Sequence, residues 1–136
     1  MEYDSEMVNW MAVLYGIVAS FVIGLISGLG LPFTDATLPV IGAGATGLIA
    51  GGVAGYFARG GAGSGAIHGL LATTIGGIVV GLFLLLIGTI GAGIFGFSVG
   101  VFYLLFVIAY GLPGAIGGAV GGLLGPKETT VGQPTG

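Results

Sequence analysis

Apolar residues run along this chain in long stretches, and turn-forming or charged residues mark the gaps between them. Leu82 to Ile87 and Val101 to Ile108 carry only aliphatic and aromatic side chains. A lipid-facing barrel strand would alternate apolar and polar residues over about ten positions, so unbroken runs of this kind predict helices. The first helix is expected over 10–31, closed by Pro32 and followed by the turn-rich run Pro32-Phe33-Thr34-Asp35-Ala36-Thr37. Pro39 suits a first helical turn and opens a second helix over 39–58, which stops at Arg59. Gly60 to Gly65 reads as a flexible connector. A third helix follows over 66–90. Gly91 to Gly100 reads as a short turn, and a fourth helix over 100–124 ends at Gly125-Pro126-Lys127.

Each stretch reaches the roughly 20 residues needed to cross a hydrocarbon core about 30 Å thick. The expected fold class is therefore all-α: an integral membrane four-helix bundle of two helical hairpins over 10–125. An acidic N-terminal tail (1–9) precedes it and a polar, mobile C-terminal tail (126–136) follows.

Composition sharpens this picture. Hydrophobic residues make up 55% of the chain, 32 of its 136 residues are Gly, and only Glu2, Asp4, Glu6, Asp35, Arg59, Lys127 and Glu128 carry formal charge. Ordinary soluble domains are about one quarter charged, so water is not the solvent this surface expects. The glycines follow no three-residue period, which excludes collagen. Cys is absent, removing disulfides, thiolate nucleophiles and cysteine-ligated metal or cluster sites. Two distant basic residues cannot neutralise a run of phosphates, so no nucleic-acid partner is expected. The acidic start Met1-Glu2-Tyr3-Asp4-Ser5-Glu6 does not fit a cleaved signal peptide.

With four spans, both tails and the connector between the second and third helices share one side. Arg59 and Lys127 then lie on that side and Asp35 on the other. The positive-inside bias places both termini in the cytoplasm, in a multi-pass protein of the cell membrane. Trp10, Tyr3, Tyr15, Tyr56 and Phe57 fall at the same boundary, where an aromatic belt belongs.

Small residues recur every fourth position in each span, the third counted with its lead-in: Gly16, Ser20, Gly24 and Gly28; Ala43, Gly47, Gly51 and Gly55; Gly61, Gly65, Gly69, Thr73, Gly77 and Gly81; and Gly114, Gly118 and Gly122. Such rows keep one helix face smooth, so that a neighbouring backbone can approach closely. Gly44, Gly52, Gly117, Gly121 and Gly125 add a second smooth face to the second and fourth helices. That face suits the centre of a bundle or an interface between copies, so a homo-oligomer or a membrane-protein partner is expected. Gly47, Gly51 and Gly55 align with Gly114, Gly118 and Gly122. A duplicated two-helix unit would give this match, and so would shared composition. Pro113, between Gly111-Leu112 and Gly114, predicts a kink.

Candidate chemistry is sparse. No Asp, Glu, Lys or Arg falls inside a predicted span, whereas transport and proton relay usually rely on such groups. No paired carboxylates, phosphate loop or Ser/His/Asp set is present, so no enzyme activity, cofactor or metal is expected. Gly42 to Gly47 fits G-x-G-x-x-G but lies in a span, without the βαβ context that motif requires. Ser20, Thr73 and Thr74 are expected to bond within the helices. His68 is expected at the interface, bonded to a headgroup or loop carbonyl, and Asp35 is expected to cap its turn.

The segments Val8-Asn9-Trp10 through Leu31-Pro32-Phe33, Asp35 to Pro39, Gly69 to Gly77, and Gly111-Leu112-Pro113-Gly114 through Gly118 resemble a group of small, glycine-rich, four-helix membrane proteins of haloarchaea with no assigned function. The resemblance spans Val8 to Leu124, implies a prokaryotic cell membrane, and carries no catalytic residues. Two functional readings follow. The first is a structural or accessory membrane protein that assembles through glycine-faced helices. The second is a small channel or uncoupled transporter, its pore lined by Gly carbonyls, Ser20, Thr73 and Thr74.

Overall fold

The computed structural model describes residues 8–30 and 38–127, with side-chain surroundings for 8–23, 44–109 and 111–127. The tail up to Met7, the loop holding Asp35 and the tail from Glu128 lie outside the described residues, as do the surroundings of Gly24 and Gly28. The described chain is all-helical: α1 (Trp10–Gly30), α2 (Leu38–Ala58), α3 (Gly61–Ala92) and α4 (Ile94–Leu124). α3 and α4 are long and apolar enough to cross a membrane.

The first two helices start and stop within a residue of the positions expected from Pro32, Pro39 and Arg59. Both glycine connectors differ from expectation. α3 begins at Gly61 and runs to Ala92, so Gly61 to Gly65 is helical rather than flexible. Only Arg59 and Gly60 separate α2 from α3. The expected turn over Gly91 to Gly100 shrinks to Gly93, whose φ of 59° and ψ of −132° suit glycine alone. Its N–H still bonds the Thr89 carbonyl at 2.9 Å, and its carbonyl accepts from Phe97 at 3.0 Å, so the reversal leaves few backbone groups unpaired. Gly65, Gly96 and Gly100 in these segments sit where helices nearly touch. A Cβ on Gly100 would lie 2.7 Å from both Cα and Cβ of Leu85, and one on Gly65 would lie 2.8 Å from Gly122 Cα.

α2 and α3 touch each other, and each touches both α1 and α4; among the described residues α1 and α4 do not meet. The contacts also fix direction. Asn9, before α1, reaches His68 near the start of α3; Gly125, after α4, lies against Tyr56 near the end of α2; and Tyr15 of α1 stacks on Phe57. The helices therefore alternate up and down, with Arg59 and Lys127 at the same end. The interior is made of small groups. Among the described residues, Ala12, Val13, Ala50, Ala54, Ala72 and Val107 are the buried hydrophobic ones, while Phe, Leu, Ile and Trp side chains cover the outside.

α4 uses both of its smooth faces within the chain. Gly114, Gly118 and Gly122 lie against Thr73, Gly65 and Gly61 of α3, whereas Gly117, Gly121 and Gly125 lie against Leu48, Gly52 and Tyr56 of α2. Gly51 and Gly55 meet Gly114 and Gly118 in turn, and Gly69 meets both. Farther along α3, a Cβ on Gly77 would come within 2.8 Å of Val107, and one on Gly81 within 2.9 Å of Tyr103. Pro113 lies inside α4, which continues through it as helix. The glycines flanking it, Gly111 and Gly114, are where Leu70, Thr74 and Thr73 of α3 press closest.

Candidate functional site

Polar chemistry gathers where α1 begins. Asn9 caps that helix: its Oδ1 accepts from the backbone N–H groups of Met11 at 3.1 Å and Ala12 at 3.3 Å, and its carbonyl accepts from Val13. Its own N–H donates to His68 Nε2 at 2.7 Å, across 59 positions of sequence. On the far side of the ring, His68 Nδ1 lies 2.7 Å from the Ser64 carbonyl and 3.3 Å from Ser64 Oγ. These partners assign the tautomer. A carbonyl only accepts, so Nδ1 carries the proton; a backbone N–H only donates, so Nε2 presents its lone pair. Both ring nitrogens are engaged, and 1% of the residue is exposed.

His68 therefore differs from expectation. It lies buried two turns into α3, bonded to the Asn9 N–H and the Ser64 carbonyl rather than to a loop carbonyl, and holds the start of α1. The α1 segment behind this link packs Val13 into a cluster with Ala54 and Ala72, bordered by Ile17, Leu71 and Ile75. Asn9 escaped the sequence reading, although an Asn directly before an apolar run is an N-cap signal. Nothing in the sequence pairs it with His68.

Beside this link opens a groove of about 270 Å³, lined by Asn9, Met11, Tyr15, Phe57 and Arg59 among others. Tyr15 and Phe57 stack with ring centroids 4.8 Å apart, and Tyr56 meets Phe57 edge-on at 5.4 Å. Arg59 sits at φ 56°, a left-handed conformation that costs a residue with a Cβ roughly 1–2 kcal/mol. It has no ion pair among the described residues, which contain no Asp or Glu.

Four further hydroxyls bond within their own helices. Ser20 Oγ donates to the Ile17 carbonyl at 2.7 Å, and Thr73 Oγ1 donates to the Gly69 carbonyl at 2.8 Å. Thr89 and Ser98 bond back to Leu85 and Ile94 in the same way. Gly16 and Gly47 lie on α1 and α2, and Lys127 is exposed after α4. The structure brings Arg59, His68 and the first turn of α1 together, and places the glycine rows of α4 elsewhere, between α2 and α3.

A protein-family model, described as a family of unknown function (DUF5518), matches residues 10–125, from the first residue of α1 to the glycine that follows α4. The chain belongs to this family. The DUF5518 match contains Arg59, His68 and all four helices, and it begins one residue after the Asn9 cap. No curated protein and no solved structure matches the chain. For DUF5518, function has therefore to be argued from the geometry of this molecule.

Proposed function

We propose that this DUF5518 protein is a structural or accessory integral membrane protein, crossing the bilayer four times and assembling with copies of itself or with a membrane-protein partner. The observation that carries the reading is the inversion of size between inside and outside. A water-soluble core collects the large apolar side chains; here glycine and alanine lie inside and Phe, Leu and Ile outside. Only 17% and 18% of the most apolar parts of α3 and α4 are buried, too little for core helices of a soluble domain. In lipid this arrangement is favourable, because close backbone packing replaces the hydrophobic drive between helices. Arg59 and Lys127 at one end support cytoplasmic termini under the positive-inside bias. The haloarchaeal setting implied by the resemblance belongs to the same proposal. The reading asks for no reaction, cofactor or metal.

Assembly is supported at the end opposite Arg59. α3, with 32 residues, is about 48 Å long, whereas the hydrocarbon core is about 30 Å thick. Tilt absorbs part of the excess, and the uncharged reversal at Gly93 carries Ile90, Ile94 and Phe95 at 79%, 72% and 80% exposure. A second copy or a partner covering this tip would remove it from water. A pore through one chain receives less support, because α2 and α3 meet between α1 and α4 and the Ser20 and Thr73 hydroxyls bond within their own helices.

The test is the mass of the full chain in lipid nanodiscs, after the membranes holding it have been washed with alkaline carbonate. Retention in the washed membrane and a defined multimer are expected, with Ile90→Asn/Phe95→Asn shifting the multimer to single chains. Release by carbonate would refute the membrane reading. A single chain at every concentration would refute self-assembly and leave the membrane-protein partner.

A further inference from the structure

We infer that the groove beside the start of α1 binds the phosphate group of an anionic membrane lipid, with Arg59 as the anion-binding residue. This inference rests on the membrane reading above. The groove combines the chemistry such a ligand requires: Met11, Tyr15 and Phe57 supply apolar and aromatic lining, and Arg59 and Asn9 supply polar lining. Aromatic rings with one wet edge favour the headgroup level, and Trp10, beside the groove, is 61% exposed. Arg59 directly follows the apolar helix α2, which places a cation where lipid phosphates lie.

The backbone separates Arg59 from an ordinary boundary cation: it holds a left-handed φ of 56°, immediately before Gly60 and Gly61. A turn selected for backbone ease alone would put glycine there, so an arginine in that conformation points to a use for its side chain. The planar guanidinium donates in a fork that matches two phosphate oxygens. Part of the lining is already set: Asn9 caps α1 through Oδ1 and is held in place by His68, so less of the site has to be ordered when a ligand arrives.

The experiment is native mass spectrometry of the full chain released from detergent micelles doped with either phosphatidylglycerol or phosphatidylcholine. One phosphatidylglycerol per chain is expected, in preference to phosphatidylcholine, whose choline cation opposes Arg59. Arg59→Gly should reduce that occupancy about tenfold while leaving thermal stability equal or higher, because glycine adopts φ 56° freely. Lys127→Gln, at the same end, should leave occupancy unchanged. Equal occupancy in Arg59→Gly overturns the inference. So does displacement of the lipid by millimolar inorganic phosphate, which would make the groove a free-phosphate site. Lipid binding that appears only when Glu2, Asp4 and Glu6 are replaced by Gln, Asn and Gln would assign the groove to the chain's own tail and likewise overturns it. A chain that stays in solution without detergent would refute the membrane reading itself, a result separable from all of these.

Discussion

Gly16 is where α1 seats against the rest of the molecule, and Gly16→Ala tests whether that seat holds the helix. A Cβ at this position would lie 2.7 Å from Ala72 Cβ on α3, 2.8 Å from Ala54 Cβ on α2 and 3.0 Å from the Ala50 carbonyl oxygen. Carbon atoms rest about 3.5–4.0 Å apart at optimal separation, so the methyl group is roughly 1 Å too close on two sides at once. Neither obstacle can rotate away, because each is a Cβ fixed to its own backbone. α1 must retreat from both helices, which also lengthens the 2.7 Å bond from Asn9 to His68. Overpacking of this kind costs about 1–3 kcal/mol, and replacing a helical glycine with alanine returns up to about 1 kcal/mol. With both sides blocked, a net loss of about 2 kcal/mol is expected. Gly44→Ala is the control: a Cβ there meets nothing within 4 Å, so only the propensity gain of up to about 1 kcal/mol remains. Reversible unfolding of each variant by SDS in mixed micelles, followed by far-UV circular dichroism and by the emission of Trp10, measures both. Adding Ala72→Gly to Gly16→Ala should recover part of the loss. If Gly16→Ala is as stable as Gly44→Ala, α1 does not depend on this close approach and the packing argument is refuted.

Two further outcomes follow from the same geometry. His68→Leu should leave the Asn9 N–H without its acceptor and cost about 1–3 kcal/mol; amide exchange at Asn9 should then accelerate, and exchange as slow as in the parent chain would remove the pinning role of His68. Gly93→Ala places a Cβ at φ 59°, ψ −132° and should destabilise the chain by about 1–3 kcal/mol in the same SDS titration; because a Cβ there meets nothing within 4 Å, any loss comes from backbone strain, and an unchanged midpoint would show that the reversal relaxes.

The helix boundaries that the sequence revealed are those marked by residues with one structural meaning. Pro32, Pro39 and Arg59 delimit α1 and α2 within a residue of their observed ends. Glycine has two meanings, and that ambiguity produced both errors. It permits a turn, and it permits another helix to come close. Gly93 is a turn glycine; Gly65, Gly96 and Gly100 are contact glycines in helices that pass straight through the expected connectors. Telling these apart requires the neighbour, and the neighbour of Gly65 is Gly122, far along the chain. His68 shows the same limit. As the lone imidazole it stood out, but its partner is a backbone amide, which no side-chain pattern encodes.

Building the interior from glycine has a further consequence for where function can lie. Among the described residues, backbone lies against backbone between α2, α3 and α4, so these contacts leave no room for a ligand between them. α4 has both of its smooth faces covered within the chain, so a glycine row there is evidence for internal packing and gives no vacant face to a second copy. Among the described residues, two surfaces at the ends of the molecule stand out for recognition. One holds Arg59, the aromatic groove and the His68 link, a polar arrangement already in place before any ligand arrives. The other is the uncharged α3–α4 reversal with Ile90, Ile94 and Phe95 outward. On the proposed reading the two ends make opposite demands, the first for an anion and the second for cover from water. Substitutions at Arg59 and at Phe95 should therefore separate lipid binding from assembly, because the groove and the reversal share no residue and lie at opposite ends of α3.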